Sequence, residues 1–285
     1  MLTRRSGLPD TSIVRVATTE VVSLPPTATV KSAVDTMVRY GFRRVPVTEP
    51  DDRTLVGVLT GRDVLEYLVG ERKEILDRRH EGRFLPGLHE PIRSLMRTEV
   101  YVVTPYDTVG KAVKTMMKFD VGALPVVEGD KLVGIVTERD LVFDMYDVVS
   151  DVPVSEAMTP DPVTVPPDSS LLEAAETMVK EGFRRLPVVD GDRLEGIVTM
   201  TDVLHHVSVK SSEIDPDATV EEALDVPVSD VMTEDVITVS PDDTLEEAVL
   251  RMKGASVGGL VVEETGDVVG ILTERDVLHA IAEAI

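Results

Sequence analysis

The sequence predicts an α/β protein built from four copies of one unit. The motif Gly-apolar-apolar-Thr-x-x-Asp occurs four times along the 285 residues. Each copy follows a short apolar run and a turn, which is typical of two adjacent strands. A stretch with apolar residues at helical spacing precedes each run. An order of elements that recurs four times indicates a repeated fold.

The third copy, residues 181–202, shows the order of elements best. Gly182 can adopt the left-handed conformation that ends a helix. Two apolar runs, 186–189 and 194–198, predict short strands. The Asp-Gly-Asp sequence at 190–192 is typical of the tight turn that joins such strands.

The Thr-x-x-Asp step then predicts a helix start where a hydroxyl, exposed backbone N–H groups and a carboxylate meet. The pairs are Thr60 and Asp63, Thr137 and Asp140, Thr199 and Asp202, and Thr273 and Asp276. Such a pair can form a capping box. The usual box carries Glu or Gln, whose longer side chain reaches back. We therefore interpret the short Asp as facing outward, where it can accept hydrogen bonds from a vicinal diol.

The repeats are predicted at residues 13–68, 91–146, 153–207 and 227–285. In the first, apolar residues at helical spacing predict a helix from Val30 to Tyr40, closed by Gly41. The other three open with similar lead-ins at 91–96, 153–158 and 227–232, which the first repeat lacks. Residues 69–90 and 208–226 are interpreted as solvated linkers, and a partner-docking arm is the alternative for the first of them.

The repeats alternate in type. The first and third share Gly-Phe-Arg-Arg, and the second and fourth share Thr-Glu-Arg-Asp. This pattern indicates that a two-repeat module was duplicated, which places the modules at about 13–150 and 151–285.

Composition restricts the function. A hydrophobic content of 42% with a mean hydropathy of +0.06 is typical of a globular protein. A net charge of −23 argues against binding a nucleic-acid backbone. No apolar run is long enough to cross a bilayer, and the polar first twelve residues lack an apolar signal core. We therefore expect a soluble cytoplasmic protein with no nucleic-acid and no membrane partner.

Missing residue types also carry information. Cysteine is absent, which excludes disulfides and thiol chemistry. Asparagine and glutamine are absent as well, and the joint loss of these thermolabile residues favours a thermophilic source. We find no phosphate-loop, nucleophile-elbow or zinc motif, and the adjacent His205 and His206 diverge on a helix. No catalytic residue, metal or catalytic cofactor is expected.

These four motif copies resemble the CBS domain, the regulatory domain named after cystathionine β-synthase, of which two tandem copies form a Bateman module. The resemblance covers roughly residues 13–285. It implies four small sheets, each with two helices on one face, that pair about pseudo-two-fold axes. With four repeats it implies a flat disk with nucleotide clefts, similar in architecture to the energy-sensing subunits of AMP-activated protein kinases.

The resemblance also implies roles for single residues. The four motif aspartates would bind ribose hydroxyls, and the four threonines would lie near the phosphate. Adenine would contact apolar residues of the first strand, which are approximately Val22, Tyr101, Val163 and Ile237. For these four residues plain core packing is the alternative.

Two arginine pairs stand out in this acidic chain: Arg43-Arg44 and Arg184-Arg185. Guanidinium groups bind phosphate bidentately, and a helix start favours an anion. Neighbours on a strand point to opposite faces, so one arginine of each pair is expected to face the ligand. We favour Arg44 and Arg185.

The even repeats carry no such pair, since Gly122-Ala123 and Gly258-Gly259 stand in its place. They would bind weakly, take a less charged ligand, or use an arginine of the facing repeat. Arg139 and Arg275 are candidates, although solvent is the default for these side chains.

Together these features predict a non-enzymatic regulatory sensor of AMP, ADP, ATP or S-adenosylmethionine that acts through an unidentified effector protein. A homodimer stays open. One alternative is a structural interaction module with empty sites, and a second is a nucleotide-hydrolysing enzyme.

Overall fold

A computed structural model describes residues 10–285. Within that range the chain alternates helices and strands through four repeats, which confirms the predicted α/β class. Most of the polar start predicted for residues 1–12 lies outside the described residues.

Two helices of each repeat pack on its strands, and shorter helices lie between the repeats. The α-helices are α1 (Val30–Tyr40), α2 (Gly61–Val69), α3 (Lys73–His80), α4 (Phe84–Gly87), α5 (Val109–Phe119), α6 (Glu138–Met145), α7 (Val154–Ala157), α8 (Leu171–Glu181), α9 (Met200–Lys210), α10 (Val220–Ala223), α11 (Leu245–Ala255) and α12 (Glu274–Ala284). The predicted bounds of α1 are confirmed, and Gly41 and Gly182 end their helices with φ of 67° and 79°.

The strands form one antiparallel hairpin per repeat. They are β1 (Arg44–Thr48), β2 (Leu55–Thr60), β3 (Ala123–Glu128), β4 (Lys131–Thr137), β5 (Thr159–Pro160), β6 (Arg185–Asp190), β7 (Arg193–Thr199), β8 (Thr238–Val239), β9 (Gly259–Glu264) and β10 (Asp267–Thr273). The hairpins are β1–β2, β3–β4, β6–β7 and β9–β10.

Each hairpin has an extended neighbour on both sides. Beside its first strand the neighbour runs parallel, through the pairs Leu24–Val47, Val103–Val126 and Val165–Val188 and through β8. Beside its second strand the neighbour runs antiparallel, through the pairs Val58–Arg97, Ile135–Thr18, Ile197–Thr233 and Ile271–Thr159.

Contacts divide the chain into two compact units. The odd unit, with the hairpins of the first and third repeats, comprises Val22–Glu99 and Val163–Asp235. The even unit, with the other two hairpins, comprises the described residues up to Val21 together with Val100–Pro162 and Val236–Ile285. Each unit has its own apolar core between strands and helices.

This division differs from the predicted modules 13–150 and 151–285. Helix α1 packs on α9 within the odd unit, and α6 packs on α12 within the even unit. Such contacts join repeats that are distant in sequence, so sequence halves and compact units do not coincide. The modules, understood as the products of a duplication, stay a prediction.

The interpretation that the first repeat lacks a lead-in is wrong. Ile13–Arg15 forms a 3-10 turn like Ile92–Ser94 and Val228–Asp230, and Ile13 is fully buried. Ser12 occupies the place of the proline that precedes the other turns. The missing proline concealed the pattern.

The interpretation of the linkers as solvated is also wrong. Leu76 and Phe84, on the first linker, are fully buried. The Phe84 N–H donates to the Ala218 carbonyl at 2.9 Å, and Lys73 contacts Glu221. Burying a leucine or phenylalanine stabilises a fold by about 1.5–3 kcal/mol. The two linkers therefore pack on each other inside the odd unit.

No helix among residues 10–285 is long and apolar enough to cross a membrane.

Candidate functional site

The four Thr-x-x-Asp pairs have the same geometry. In each, the threonine N–H donates to Oδ2 of the aspartate at 2.7–2.9 Å, and the threonine hydroxyl donates to the same oxygen at 2.6–2.7 Å. The capping box, which the sequence left open as an alternative, is therefore present in all four pairs and uses one oxygen of each carboxylate. A ribose role for these residues depends on the other oxygen, Oδ1, and stays a prediction.

The first N–H group of each motif helix is not exposed, contrary to the expectation from sequence. The N–H of Gly61 donates to the carbonyl of Arg43 at 2.9 Å, and the N–H of Met200 donates to that of Arg184 at 2.9 Å. Gly122 and Gly258 accept the same bond from Glu138 and Glu274 in the even unit at 3.1 and 3.2 Å. Less of the helix start is thus available to an anion than its sequence indicates.

The second arginine of each pair lies beside the motif threonine. Arg185 is the cross-strand partner of Thr199, and Arg44 is that of Thr60. Directly opposed residues of an antiparallel pair share one face of the sheet. The next pair in the third repeat, Leu186 and Val198, is fully buried in the core. Arg185 and Thr199 therefore occupy the sheet face that points away from the core.

Arg43 and Arg184 directly precede their strands. Their carbonyls accept the hydrogen bonds from the first N–H groups of α2 and α9. All four arginines are partly buried and have interaction partners. In the even unit, Ala123 and Gly259 lie opposite Thr137 and Thr273. The even repeats thus keep the motif carboxylate, but the residue opposite their threonine carries no guanidinium.

The first repeat differs from the other three at its aspartate. Asp63 is fully buried, and its Oδ1 accepts a hydrogen bond of 2.9 Å from Nε of Arg97. Nη1 of Arg72 lies 3.6 Å from the same oxygen. Sequence reasoning missed Arg97. The signal was available, because Thr18, Thr159 and Thr233 occupy the equivalent place in the other lead-ins.

Asp140 and Asp202 are less enclosed. Both are partly exposed, and among the described residues no side chain other than the motif threonine donates a hydrogen bond to either of them. Burial raises the pKa of both carboxyl groups above the ordinary aspartate value, although the hydrogen bonds from Thr137 and Thr199 act in the opposite direction. A ligand group that donates to the carboxylate would favour the ionised form.

Arg139 and Arg275, interpreted as solvent-facing or as ligand contacts, form a reciprocal ion-pair cluster instead. Nε of Arg139 lies 2.5 Å from Oε1 of Glu274, and Nε of Arg275 lies 2.7 Å from Oε1 of Glu138. Both glutamates are buried. This contact between α6 and α12 gives a structural reason for the shared Thr-Glu-Arg-Asp sequence.

The odd unit is apolar at the corresponding place. A Cβ on Gly61 would lie 2.9 Å from Cδ1 of Leu204 and 3.0 Å from Cε of Met200. The absence of a side chain at residue 61 therefore permits the close approach of α2 and α9. The first repeat packs against the third and the second packs against the fourth. This pairing explains why the two motif types alternate along the chain.

None of the four residues predicted to contact adenine is fully buried. Val163 is 38% and Ile237 is 40% exposed. Val22 is partly buried, and so is Tyr101, whose ring stacks on Phe119 at a centroid distance of 3.8 Å. Their contact with a base stays a prediction.

Two of the five histidines, His80 and His206, have clear structural partners. Nε2 of His206 lies 3.0 Å from the carbonyl of Ala223, and Nε2 of His80 lies 2.8 Å from Glu90. Residues 10–285 contain no group of three or more His, Cys, Asp or Glu residues that could hold a metal ion.

Comparison with known families gives four matches to the CBS domain, at residues 13–70, 92–147, 149–209 and 228–283. This chain belongs to the CBS domain family. The matched segments lie within a few residues of the repeats that the motif copies predict.

Two relatives match almost the whole chain. The uncharacterised protein MJ1225 of Methanocaldococcus jannaschii is 32% identical over 268 residues, which is 92% of this chain and 96% of the relative. An uncharacterised 33.4 kDa protein from the ribosomal RNA operon of Thermofilum pendens is 35% identical over 277 residues, which is 93% of this chain and 91% of the relative.

Solved structures agree with the fold. The crystal structure of MJ1225, described as a candidate archaeal homologue of γ-AMPK, has a TM-score of 0.86 with 29% identity and covers 94% of this chain and 99% of that one. An uncharacterised conserved protein from Pyrococcus horikoshii has a TM-score of 0.61 with 24% identity and covers 95% and 99% of the two chains.

Proposed function

We propose that this protein is a regulatory adenine-nucleotide sensor that acts through a partner protein. The observation that carries the proposal is the register of the third repeat, in which Arg185 stands opposite Thr199 at the start of the helix that bears Asp202. The likeness to MJ1225, which is described as a candidate homologue of γ-AMPK, supports a sensing role.

The third repeat has the most complete set of groups. The ribose hydroxyls of a bound nucleotide donate to Oδ1 of Asp202, because Oδ2 is occupied by Thr199. Arg185 binds the phosphate, since the first helix N–H group already has a protein partner. The exposed side chain of Val163 contacts the adenine.

The second and fourth repeats keep the carboxylate and lack the guanidinium. We expect weaker nucleotide binding there, or a preference for a ligand with less negative charge such as S-adenosylmethionine. Asp140 and Asp276 hold the ribose at these sites, and Tyr101 and Ile237 contact the base.

Regulation requires that the ligand bind two arrangements of the protein with different affinity. In this proposal the output is passed to another, effector protein. We place this protein in the cytoplasm of a thermophile as a sensor of cellular energy state.

The test is calorimetric titration of the full chain with AMP, ADP, ATP and S-adenosylmethionine. Asp202→Ala should abolish the tightest site, and Asp190→Ala, which changes an exposed residue at the end of β6, is the matched control. Saturable binding that Asp202→Ala removes supports the proposal. Equal binding in wild type and Asp202→Ala contradicts the assigned site, and no binding at millimolar ligand contradicts the function.

A structural interaction module is the second candidate. One observation favours it: each motif aspartate has a capping role that needs no ligand. An absence of ligand binding together with a stable complex between this chain and a partner would establish that function.

A further inference from the structure

The aspartate of the first repeat is paired with Arg97, and the other three repeats carry threonine in place of this arginine. Arg97 follows the lead-in of the second repeat and lies within the odd unit, next to β2. Its N–H donates to the Val58 carbonyl at 2.9 Å, and its carbonyl accepts from Val58 at 3.0 Å. These two bonds hold the backbone of Arg97 beside Val58, which lies two residues before Thr60.

The same bridge exists in the third repeat with a different side chain. There Thr233 exchanges both backbone bonds with Ile197, at 3.0 and 2.9 Å, two residues before Thr199. The second and fourth repeats also carry threonine, Thr18 and Thr159, at this place. Arginine therefore reaches the motif aspartate in one repeat of four, from a backbone position that all four share.

This arginine supplies the hydrogen bond to the second carboxylate oxygen of Asp63. Oδ2 of Asp63 accepts from Thr60, and Oδ1 accepts from Nε of Arg97 at 2.9 Å. Both carboxylate oxygens are thus engaged, and the residue is fully buried. A hydrogen bond between two charged groups is stronger than one from a neutral hydroxyl. A ribose diol would have to displace Arg97 to reach this carboxylate.

We propose that Arg97 keeps the first repeat from binding the nucleotide that the third repeat binds, although both carry the Arg-Arg pair. This inference rests on the proposed function of the Thr-x-x-Asp site. The side chain at this bridge position thereby selects which repeats bind a nucleotide.

The test exchanges this side chain between repeats in the full chain. Calorimetric titration with AMP and with ATP gives the number of sites. Arg97→Thr should add one site, or tighten a weak one by at least about tenfold, and the double variant Arg97→Thr/Asp63→Ala should lose that gain. Arg93→Thr, which removes the same charge from an exposed position of the same segment, is the matched control.

The reverse exchange does not depend on the stability of Arg97→Thr. Thr233→Arg should place a guanidinium against Asp202 and remove the site of the third repeat, and Thr233→Met supplies a long side chain without charge. Nucleotide binding that neither Arg97→Thr nor Thr233→Arg alters overturns the inference and leaves the proposed function intact. A loss of sites in Arg97→Thr shows a ligand contact and also overturns it. No binding in wild type or any variant overturns the proposed function and this inference with it.

Discussion

Arg185 lies directly opposite Thr199 in the antiparallel β6–β7 hairpin. The guanidinium and the hydroxyl therefore share the sheet face that points away from the core. Asp202 follows at the start of α9, so one short segment carries a cation, a hydroxyl and a carboxylate.

Arg185→Ala should weaken binding of AMP or ATP by about 10- to 100-fold, because a hydrogen bond to a charged group contributes about 1.5–3 kcal/mol. Arg184→Ala should have a smaller effect, since Arg184 precedes the strand. Calorimetry or fluorescence titration measures the change. Lys180→Ala removes an equally charged but exposed side chain of the same repeat, and an equal loss in that variant would rule out a specific contact.

Nucleotide binding should weaken as the pH is lowered through the raised pKa of Asp202. Burial raises this pKa, and a protonated carboxyl group accepts hydrogen bonds from a diol poorly. Titrations between about pH 8 and about pH 4 should show affinity that is level at first and then falls. Asp202→Asn should bind weakly at every pH. An affinity that rises on acidification would contradict a carboxylate contact.

The same carboxyl group should affect stability in the opposite sense. Its pKa in the folded state lies above the unfolded value, so the folded protein binds the proton more tightly. Its contribution to stability is present at low pH and is lost as the pH rises through the raised pKa. At neutral pH Asp202→Asn, whose amide oxygen can still accept from Thr199, should melt at the same temperature as wild type or higher. A clearly lower melting temperature would show that the charge stabilises the helix start.

Glu274→Ala should destabilise the even unit. Removing one partner of a buried ion pair costs about 3–5 kcal/mol, and we expect the lower end, about 3 kcal/mol, because Arg139 keeps some contact with water. Urea unfolding measures the loss. Glu213→Ala breaks the exposed pair with Lys210 and should cost less than about 1 kcal/mol. Similar losses in both variants would mean that burial of the cluster is unimportant.

Leu76→Ala should cost about 2–5 kcal/mol, because Leu76 is fully buried within the first linker. Leu250→Ala, at a position that is 46% exposed, should cost less than about 1 kcal/mol. Thermal or urea unfolding compares the two variants. If the free energy of unfolding changes equally little in both, the linker does not belong to the folded core.

The order of helices and strands could be predicted because local chemistry specifies it. Gly41 and Gly182 end helices through their backbone freedom, and the Thr-x-x-Asp pair starts them. Alternation along a strand also favoured Arg185 over Arg184 as the arginine that faces a ligand, and that contact stays a prediction. These features depend on residues that are close in sequence.

What could not be predicted depends on contacts between distant residues. Arg97 reaches Asp63 across 34 positions, and Arg139 reaches Glu274 across 135. The linker around Phe84 looked solvated because its many charged residues surround a few buried apolar ones, and its partner lies near Ala218 in the second linker. Spacing within a repeat carries no information on which repeat packs against it.

The most direct test of the central claim is a crystal structure of the full chain grown with millimolar AMP. The account predicts ribose hydroxyls within hydrogen-bond distance, about 3 Å, of Oδ1 of Asp202 and a phosphate against Arg185. It also predicts that Asp63 stays paired with Arg97. Ordered AMP bound away from Asp202, or ribose bound to Asp63 in the wild-type protein, would contradict it.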